Sequence, residues 1–494
     1  MRLAEALRIR PGTSVAFTGA GGKSSTLRRL AEELAPQGPV ILTTTTRLGK
    51  SQSDLAHHHL VLTSPDDLKT LPGLLDRHGA VLVTGPLDTA GAKWTGLELH
   101  EMVALRDMVL GGEPETGNPR KSRGPRWKLG APSRAGGRAG NRKPPFDFAR
   151  RRSLRSGSGS RKQVTILIEA DGAGGRSLKA PAEHEPVVPE WVDVAVPVVG
   201  LDVLGETIGS DLVHRGDLVG ARLGLGRSDR ISESDIAALL VSPDGGLKGV
   251  PQSAEVRVLL NKVDSEERRG AARAIADKVI QETRVTAVAL GSLLQASPVA
   301  ECWGRVAGVV LAAGGSSRLG RPKQLIEWRG RALVWHAART ALDAGLSPVV
   351  VVTGAEATAV GNALSGQAVE IVYNPRWEGG QSTSVRSGVE AVIGRVEAIC
   401  FLLADMPRVP PDLIRLEVET HRRTLSPIVA PWAGGRWANP ALFDRAVFQD
   451  LLMLRGDRGG RALFERYPVL RVEWDESILL DVDTPEDLER LEKP

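Results

Sequence analysis

The sequence predicts an α/β protein built as two consecutive units: an N-terminal P-loop-like domain with a parallel sheet, residues 1–295, and a C-terminal Rossmann-like domain, residues 305–494. Three observations predict it. Short apolar runs alternate with amphipathic helical stretches in both halves, the pattern of mainly parallel sheets covered by helices. One apolar run in each half leads straight into a glycine-rich loop followed by a cation. No internal repeat is apparent, and no run of 18 apolar residues occurs that would span a membrane.

In the N-terminal half, Thr13 to Gly19 reads as a strand and Ser24 to Ala35 as a helix with Leu27, Leu30 and Leu34 on one face. Pro39 to Thr43, Val164 to Ala170 and Val256 to Leu260 supply further strands. The loop Thr18-Gly-Ala-Gly-Gly-Lys-Ser-Ser25 joins the first strand to the first helix. Phe17 stands where a strict Walker A loop needs glycine, so only the shorter Gly-x-x-Gly-Lys-Ser pattern of Gly19, Gly22, Lys23 and Ser24 is met, followed by Ser25. There Lys23 is expected to meet the β/γ-phosphates of ATP or GTP at the helix N-terminus, and Ser24 to hold Mg²⁺. The competing reading is a structural turn with an incidental lysine. Glu169-Ala-Asp171-Gly172 ends a strand and offers Asp171 as a metal ligand, while Thr43 to Thr46 places four hydroxyls at the same edge. Asn261-Lys-Val-Asp264 resembles the guanine-reading Asn-Lys-x-Asp of GTPases, with Asp264 as the base contact. His214 and Arg215 read either as an anion-binding pair or as surface residues, and His57-His-His59 as an exposed loop without partners for a metal.

Residues 112–162 break the pattern. They carry 15 Lys/Arg against three Asp/Glu, a formal +12 in a chain of net +5, so the remainder stands at −7. With few aliphatic residues the segment cannot bury enough surface to offset its ordering, and it reads as a disordered basic insertion. It lacks the aromatic interleaving of single-strand binders, so nucleic acid is not the expected partner. Cys302 and Cys400 are too far apart in sequence for a disulfide framework or a cysteine zinc site to be read. A cytoplasmic setting without membrane attachment is expected. Between Gly291 and Gly304 the patterning weakens, which sets the domain boundary and suggests two independent folding units.

In the C-terminal half, Val306 to Leu311 reads as a buried strand leading into Leu311-Ala-Ala-Gly-Gly-Ser-Ser-Arg-Leu-Gly-Arg-Pro-Lys-Gln-Leu325. Leu311, Ala312, Ala313, Gly314 and Gly315 form a cradle whose N–H groups suit a nucleotide phosphate, and Arg318 and Lys323 bring two cations to it. Asp405 follows the strand Ile399 to Ala404, where an open α/β sheet presents its ligands, and suits Mg²⁺ against a triphosphate. Asp481 and Asp483 fall in an expected extended stretch, Ile478 to Val482, whose spacing of two puts both on one face as further metal ligands. Asp483 equally fits as the N-cap of the helix Pro485 to Leu491. Gln381, Ser382 and Ser384 open a helix running to Val392, as a phosphate seat or as ordinary caps.

These residues carry a family resemblance. Leu311 to Leu325, with Gln381 to Ser384, Leu403-Ala-Asp-Met-Pro407, Asn439-Pro440, Arg455-Gly-Asp-Arg-Gly459 and Asp481-Val-Asp-Thr-Pro485 in that order, resembles the MobA-like nucleotidyltransferases, nearest their molybdenum cofactor cytidylyltransferase branch. The resemblance implies a Rossmann-like nucleotidyltransferase domain using CTP and Mg²⁺, with Asp405 as metal ligand, Arg318 and Lys323 as catalytic cations, and Asn439 in the loop that meets molybdopterin. Ala438 and Asn439 stand near where many relatives carry histidine. Gly19 to Ser25, Thr43 to Thr46, Glu169 to Gly172, Lys179-Ala-Pro181, His184-Glu-Pro186, Val213-His-Arg215 and Asn261 to Asp264 resemble the YqeC family, accessory proteins of selenium-dependent molybdenum hydroxylases. Together the resemblances imply cofactor maturation, with an apo molybdenum hydroxylase as partner. Two other readings stay open: guanylyl or other nucleotidyl transfer to a phosphorylated acceptor, and a non-enzymatic, nucleotide-dependent chaperone that delivers cofactor.

Overall fold

A computed structural model describes residues 1–110, 163–315 and 322–492; the basic insertion and Arg318 lie outside them. The chain forms two mixed, mostly parallel sheets in series. In the first half the strands are β1 (Ser14–Gly19), β2 (Val40–Thr44), β3 (His58–Val61), β4 (Ala80–Thr84), β5 (Thr165–Glu169), β6 (Leu178–Lys179), β7 (Val194–Gly200), β8 (Val213–His214), β9 (Glu255–Asn261), β10 (Val285–Gly291) and β11 (Val299–Gly304). Nine of them make one sheet in the order β11-β10-β9-β7-β1-β5-β2-β4-β3, and β6 pairs with β8 separately. Every pairing in the large sheet is parallel except β10 with β11. The central strands are buried along their length apart from Gly19 at the end of β1, as parallel strands covered on both faces must be.

The second half contributes β12 (Val306–Ala312), β13 (Val349–Thr353), β14 (Glu370–Tyr373), β15 (Ala398–Leu403), β16 (Ile428–Ala433), β17 (Arg436–Trp437), β18 (Ala441–Asp444) and β19 (Val469–Glu473). They order as β14-β13-β12-β15-β18-β16-β17, with β19 added alongside β16. β12, β13, β14 and β15 run parallel, and β18 returns antiparallel to β15. Apolar clusters cover both faces, one around Val310, Val351 and Leu402, the other around Val309, Val352 and Phe401.

Several expectations need correction. The stretch before Gly304 contains a regular strand, β11, that caps the first sheet; its exposed Ala300 and half-buried Trp303 hide the apolar signal. His58 and His59 lie in the edge strand β3 and not in a loop: His58 stacks on His78 at 4.8 Å, and His59 Nε2 meets Thr84 Oγ1 at 2.8 Å. Ile478 to Val482 is no strand, since Glu476–Leu479 forms one 3₁₀ turn that Asp475 caps by accepting from Ser477 N. The helix Pro485–Glu492 is not capped by Asp483. Thr484 Oγ1 accepts from Asp487 N, and the Asp487 carboxylate accepts from the N–H groups of Asp483 and Thr484. Among the described residues no helix is long and apolar enough to cross a membrane.

Candidate functional site

The C-terminal site begins where β12 runs out at the sheet's carboxyl edge. The backbone from Ala313 to Gly315 is packed from two sides. A Cβ on Gly354 would stand 2.5 Å from Ala313 O and 2.7 Å from Trp377 Cβ, and one on Gly315 would stand 3.0 Å from the Trp377 ring. Gly354 therefore requires glycine for close approach, and a side chain at Gly315 would press on the Trp377 ring. Gln324 Nε2 donates to Gly314 O at 3.1 Å and ties the far end of the loop back to its start. A cleft of about 870 Å³ opens here, lined by Leu311 to Gly315, Lys323, Trp377, Gln381, Ser384, Asp405 and Asp457 among others. That volume suits a nucleotide.

Lys323 stands at the centre of the charged part. Its Nζ hydrogen-bonds the Asp483 carboxylate and lies 3.6 Å from Asp405 Oδ2. Loss of hydration works against the Lys323 charge, but the hydrogen bond it donates to Asp483 and the nearby Asp405 carboxylate hold its pKa above the usual lysine value. Asp405 follows β15, and its carbonyl accepts from Val482 N at 3.0 Å, which fastens the Asp481–Asp483 segment to the sheet edge. Loss of hydration raises the Asp405 carboxyl against the pull of Lys323. Desolvation and the Asp405 and Asp483 carboxylates push Asp481 up to about 6, although the residue keeps exposed surface. Among the described residues no three His, Cys, Asp or Glu side chains converge as a ready-made metal cage.

The helix Gln381–Val392 starts at the cleft, as expected, but its first turn is already engaged. Gln381 N donates to Asp457 Oδ1 at 3.3 Å and Ser382 N to Gly456 O at 3.2 Å. Buried Asn374 donates to Thr383 Oγ1 at 2.8 Å and to Ser384 Oγ at 3.1 Å. Gln381 and Ser384 face the cleft, whereas Ser382 is 1 % exposed and does not line it. Gly380 has φ +94, and an added Cβ would stand 2.7 Å from the Gly456 backbone. Gly380→Val is therefore expected to push the Asp457 loop away and raise the KM for nucleotide severalfold, read by steady-state kinetics; an unchanged KM would contradict the role given to this turn.

A second pocket of about 400 Å³ shares Leu311, Gln381 and Leu403 with the cleft. Arg436, Arg461, Trp437, Asn439 and Asp481 line it. The sequence did not single out Trp377, Gln324, Asn374, Arg436 or Arg461, and took Asp457 only as part of a motif. They come from separated loops with no common spacing.

At the N-terminal loop, Gly19, Gly21 and Gly22 have φ +84, +90 and +125. Cβ atoms there would stand 2.4 Å from Val198 O, 2.1 Å from Gly200 N and 2.4 Å from Asn261 Nδ2, so the loop lies pressed on the ends of β7 and β9. Lys23, 4 % exposed, hydrogen-bonds Gly19 O and pairs with Asp171 at 3.0 Å. Asp171 also accepts from Gly19 N at 3.1 Å and pairs with Lys179 at 3.1 Å, so two lysines hold the carboxylate expected to bind metal. Glu169 instead accepts from Ser24 Oγ at 3.3 Å. Lys179 continues to Glu185 at 2.9 Å, and Glu185 to Arg215. Desolvation would raise Glu185, but Arg215 and Lys179 bring it down to about 2. Asn261 spends its amide on Gly21 O, at 2.7 Å, and on Leu293 N. Asp264 pairs with Arg268 at 2.8 Å, and Ser25 lies in the first turn of the helix Lys23–Leu34. A cavity beside Gly19, Asp171 and Lys179 measures only about 20 Å³, too small for a nucleotide.

Each half thus carries a glycine-rich loop at the carboxyl edge of an α/β sheet. Residues 308–472 match the MobA-like NTP transferase domain, and residues 15–110 and 144–217 match the YqeC protein family. The chain belongs to the MobA-like NTP transferase family and carries a YqeC domain ahead of that domain. It is 34% identical over 198 residues to the nicotine blue oxidoreductase of Paenarthrobacter nicotinovorans, covering 38% of this chain and 96% of that one. It is 28% identical to the molybdenum cofactor cytidylyltransferase of Escherichia coli, over 36% of this chain and 91% of the other. The Escherichia coli protein YqeC is 33% identical over 27% of this chain, which spans about half (52%) of that relative's length.

Proposed function

We propose that the C-terminal domain transfers a cytidylyl group from CTP to the terminal phosphate of molybdopterin, releasing pyrophosphate. The observation that carries this reading is the meeting of the nucleotide-sized cleft with a second pocket, across Leu311, Gln381 and Leu403, beside Lys323, Asp405 and Asp481. The triphosphate lies along Ala312 to Gly315, whose N–H groups face it, with Lys323 released from Asp483 to the phosphate oxygens. The acceptor phosphate enters from the second pocket between Arg436 and Arg461. One of its oxygens forms a bond to the α-phosphorus while the bond to the β-phosphate oxygen breaks, and pyrophosphate leaves. The nucleophile is already an anion, so positioning and charge neutralisation supply the catalysis. Asp405, with Asp481 or Asp483, fits Mg²⁺, which takes one or two carboxylates beside substrate phosphates and would offset the triphosphate charge.

CTP rather than GTP is proposed as the donor because the loop Leu311 to Leu325 resembles that of the cytidylyltransferase branch. The test is pyrophosphate release with molybdopterin and each nucleotide in turn. A CTP rate at least tenfold above that with GTP supports the reading, and the reverse order assigns guanylyl transfer instead.

For the N-terminal domain we propose ATP or GTP binding at Gly19 to Ser25, with Ser24 and Glu169 as the metal-side pair and Lys23 leaving Asp171 for the phosphates. Lys23→Met is expected to abolish nucleotide-dependent thermal stabilisation of this domain. Stabilisation retained in that variant would reduce the loop to a structural turn.

A further inference from the structure

The two sheets meet at the edges that carry no nucleotide loop. β11 runs antiparallel to β10, so it starts at the Gly19–Ser25 edge and ends at the opposite one. A single residue, Arg305, then separates it from β12, which runs toward Gly314 and Asp405. The ion pairs that join the halves through Arg8, Arg257, Glu397 and Arg445 sit at this shared back edge. Arg8 precedes β1 and Glu397 precedes β15; Glu255 opens β9, and Asp444 closes the antiparallel β18.

The seam between them is dense. Arg257, fully buried, pairs with Glu397 at 2.7 Å and with Glu255 at 3.1 Å. Arg445 pairs with the same two carboxylates at 2.7 and 3.1 Å. Arg8 reaches Glu397 at 3.3 Å and also Asp444, which His421 contacts at 2.8 Å from the far side. Arg305 donates to Ile280 O and Glu282 O in the first half and to Arg395 O in the second. The Arg422 guanidinium lies 3.6 Å over the Trp303 ring. Leu425 completes an apolar cluster otherwise built from the first half.

We infer that the chain is one rigid, two-headed body, with its two phosphate-binding edges at opposite poles and no passage between them. A one-residue linker, clamped on both sides, leaves no hinge of the kind that would let the heads turn toward each other. The run β11–Arg305–β12 spans 14 residues, roughly 45 Å at about 3.3 Å per residue. A product released at one pole therefore reaches the other only through bulk solvent or on a separate carrier. The functional consequence rests on the sites proposed above; the geometry does not.

The test is a distance. Leu294, 95 % exposed beside the first loop, and exposed Arg458 beside the second cleft are replaced by cysteine and spin-labelled. Both native cysteines are buried and stay unlabelled. Pulsed dipolar spectroscopy on the full chain is expected to give a narrow distribution centred beyond about 40 Å, near the length of two strands in line, unchanged by added nucleotide. A mean below about 25 Å, on the same strand scale, overturns the back-to-back arrangement. A broad or nucleotide-dependent distribution overturns the rigidity. Because no catalysis is measured, failure here is distinct from failure of the proposed transfer.

Discussion

Asp405→Ala is expected to lower turnover by about 3 kcal/mol of barrier, roughly two orders of magnitude, the scale of removing one well-placed electrostatic group. The residue sits in the turn that follows β15 at the sheet edge and faces the cleft with Lys323 3.6 Å away. Its carboxylate keeps Lys323 charged and in place, and is the group best placed to hold a cation against a triphosphate. The loss belongs in kcat more than in nucleotide affinity, because the loop Ala312 to Gly315 and Trp377 remain. Asp405 is not part of the apolar core, so thermal unfolding should shift little. Stopped-flow pyrophosphate release at saturating nucleotide checks the prediction, and an unchanged rate removes Asp405 from the mechanism.

Glu397→Ala is expected to destabilise the folded chain by about 3–5 kcal/mol, because breaking a buried pair leaves its partners charged and unpaired. Here three arginines lose one carboxylate, and Arg257 has no exposure to water. Burial alone would raise the Glu397 pKa, but Arg257, Arg445 and Arg8 together hold it far below the usual carboxylate range. A depressed carboxyl contributes stability above its unfolded value and loses it as pH falls toward the folded one. The loss on substitution is therefore fully developed at neutral pH and shrinks in strong acid. Denaturant titration of the wild type and variant at pH 7 measures it. A difference below about 1 kcal/mol, the scale of an exposed pair, would mean that the seam is a loose surface contact.

The strands nearest the sites were legible because each is a short aliphatic run that reaches glycine, threonine or aspartate at its end or within two residues of it. Gly19 to Lys23, and separately Gly314 and Asp405, could be placed at sheet edges for that reason. What stayed hidden depends on the fold. Trp377 closes over Gly315, Asp457 reaches the Gln381 helix, and Arg436 and Arg461 face one pocket, yet none follows from spacing. Asp171 illustrates a different failure: its position after a strand was right for a metal, but two lysines occupy it while Glu169 stands beside Ser24. The seam was invisible for the plainest reason. Arg8, Arg257, Glu397 and Asp444 look like ordinary surface charges until the topology brings both back edges together.

The most direct test of the central claim is a product analysis: purified full-length protein with CTP, Mg²⁺ and molybdopterin, followed by mass detection of the pterin and assay of pyrophosphate. The expected product is a molybdopterin carrying one cytidylyl group, formed in equal amount with pyrophosphate and only when both substrates are present. Unmodified pterin without pyrophosphate, under conditions in which CTP is shown to bind, would contradict it.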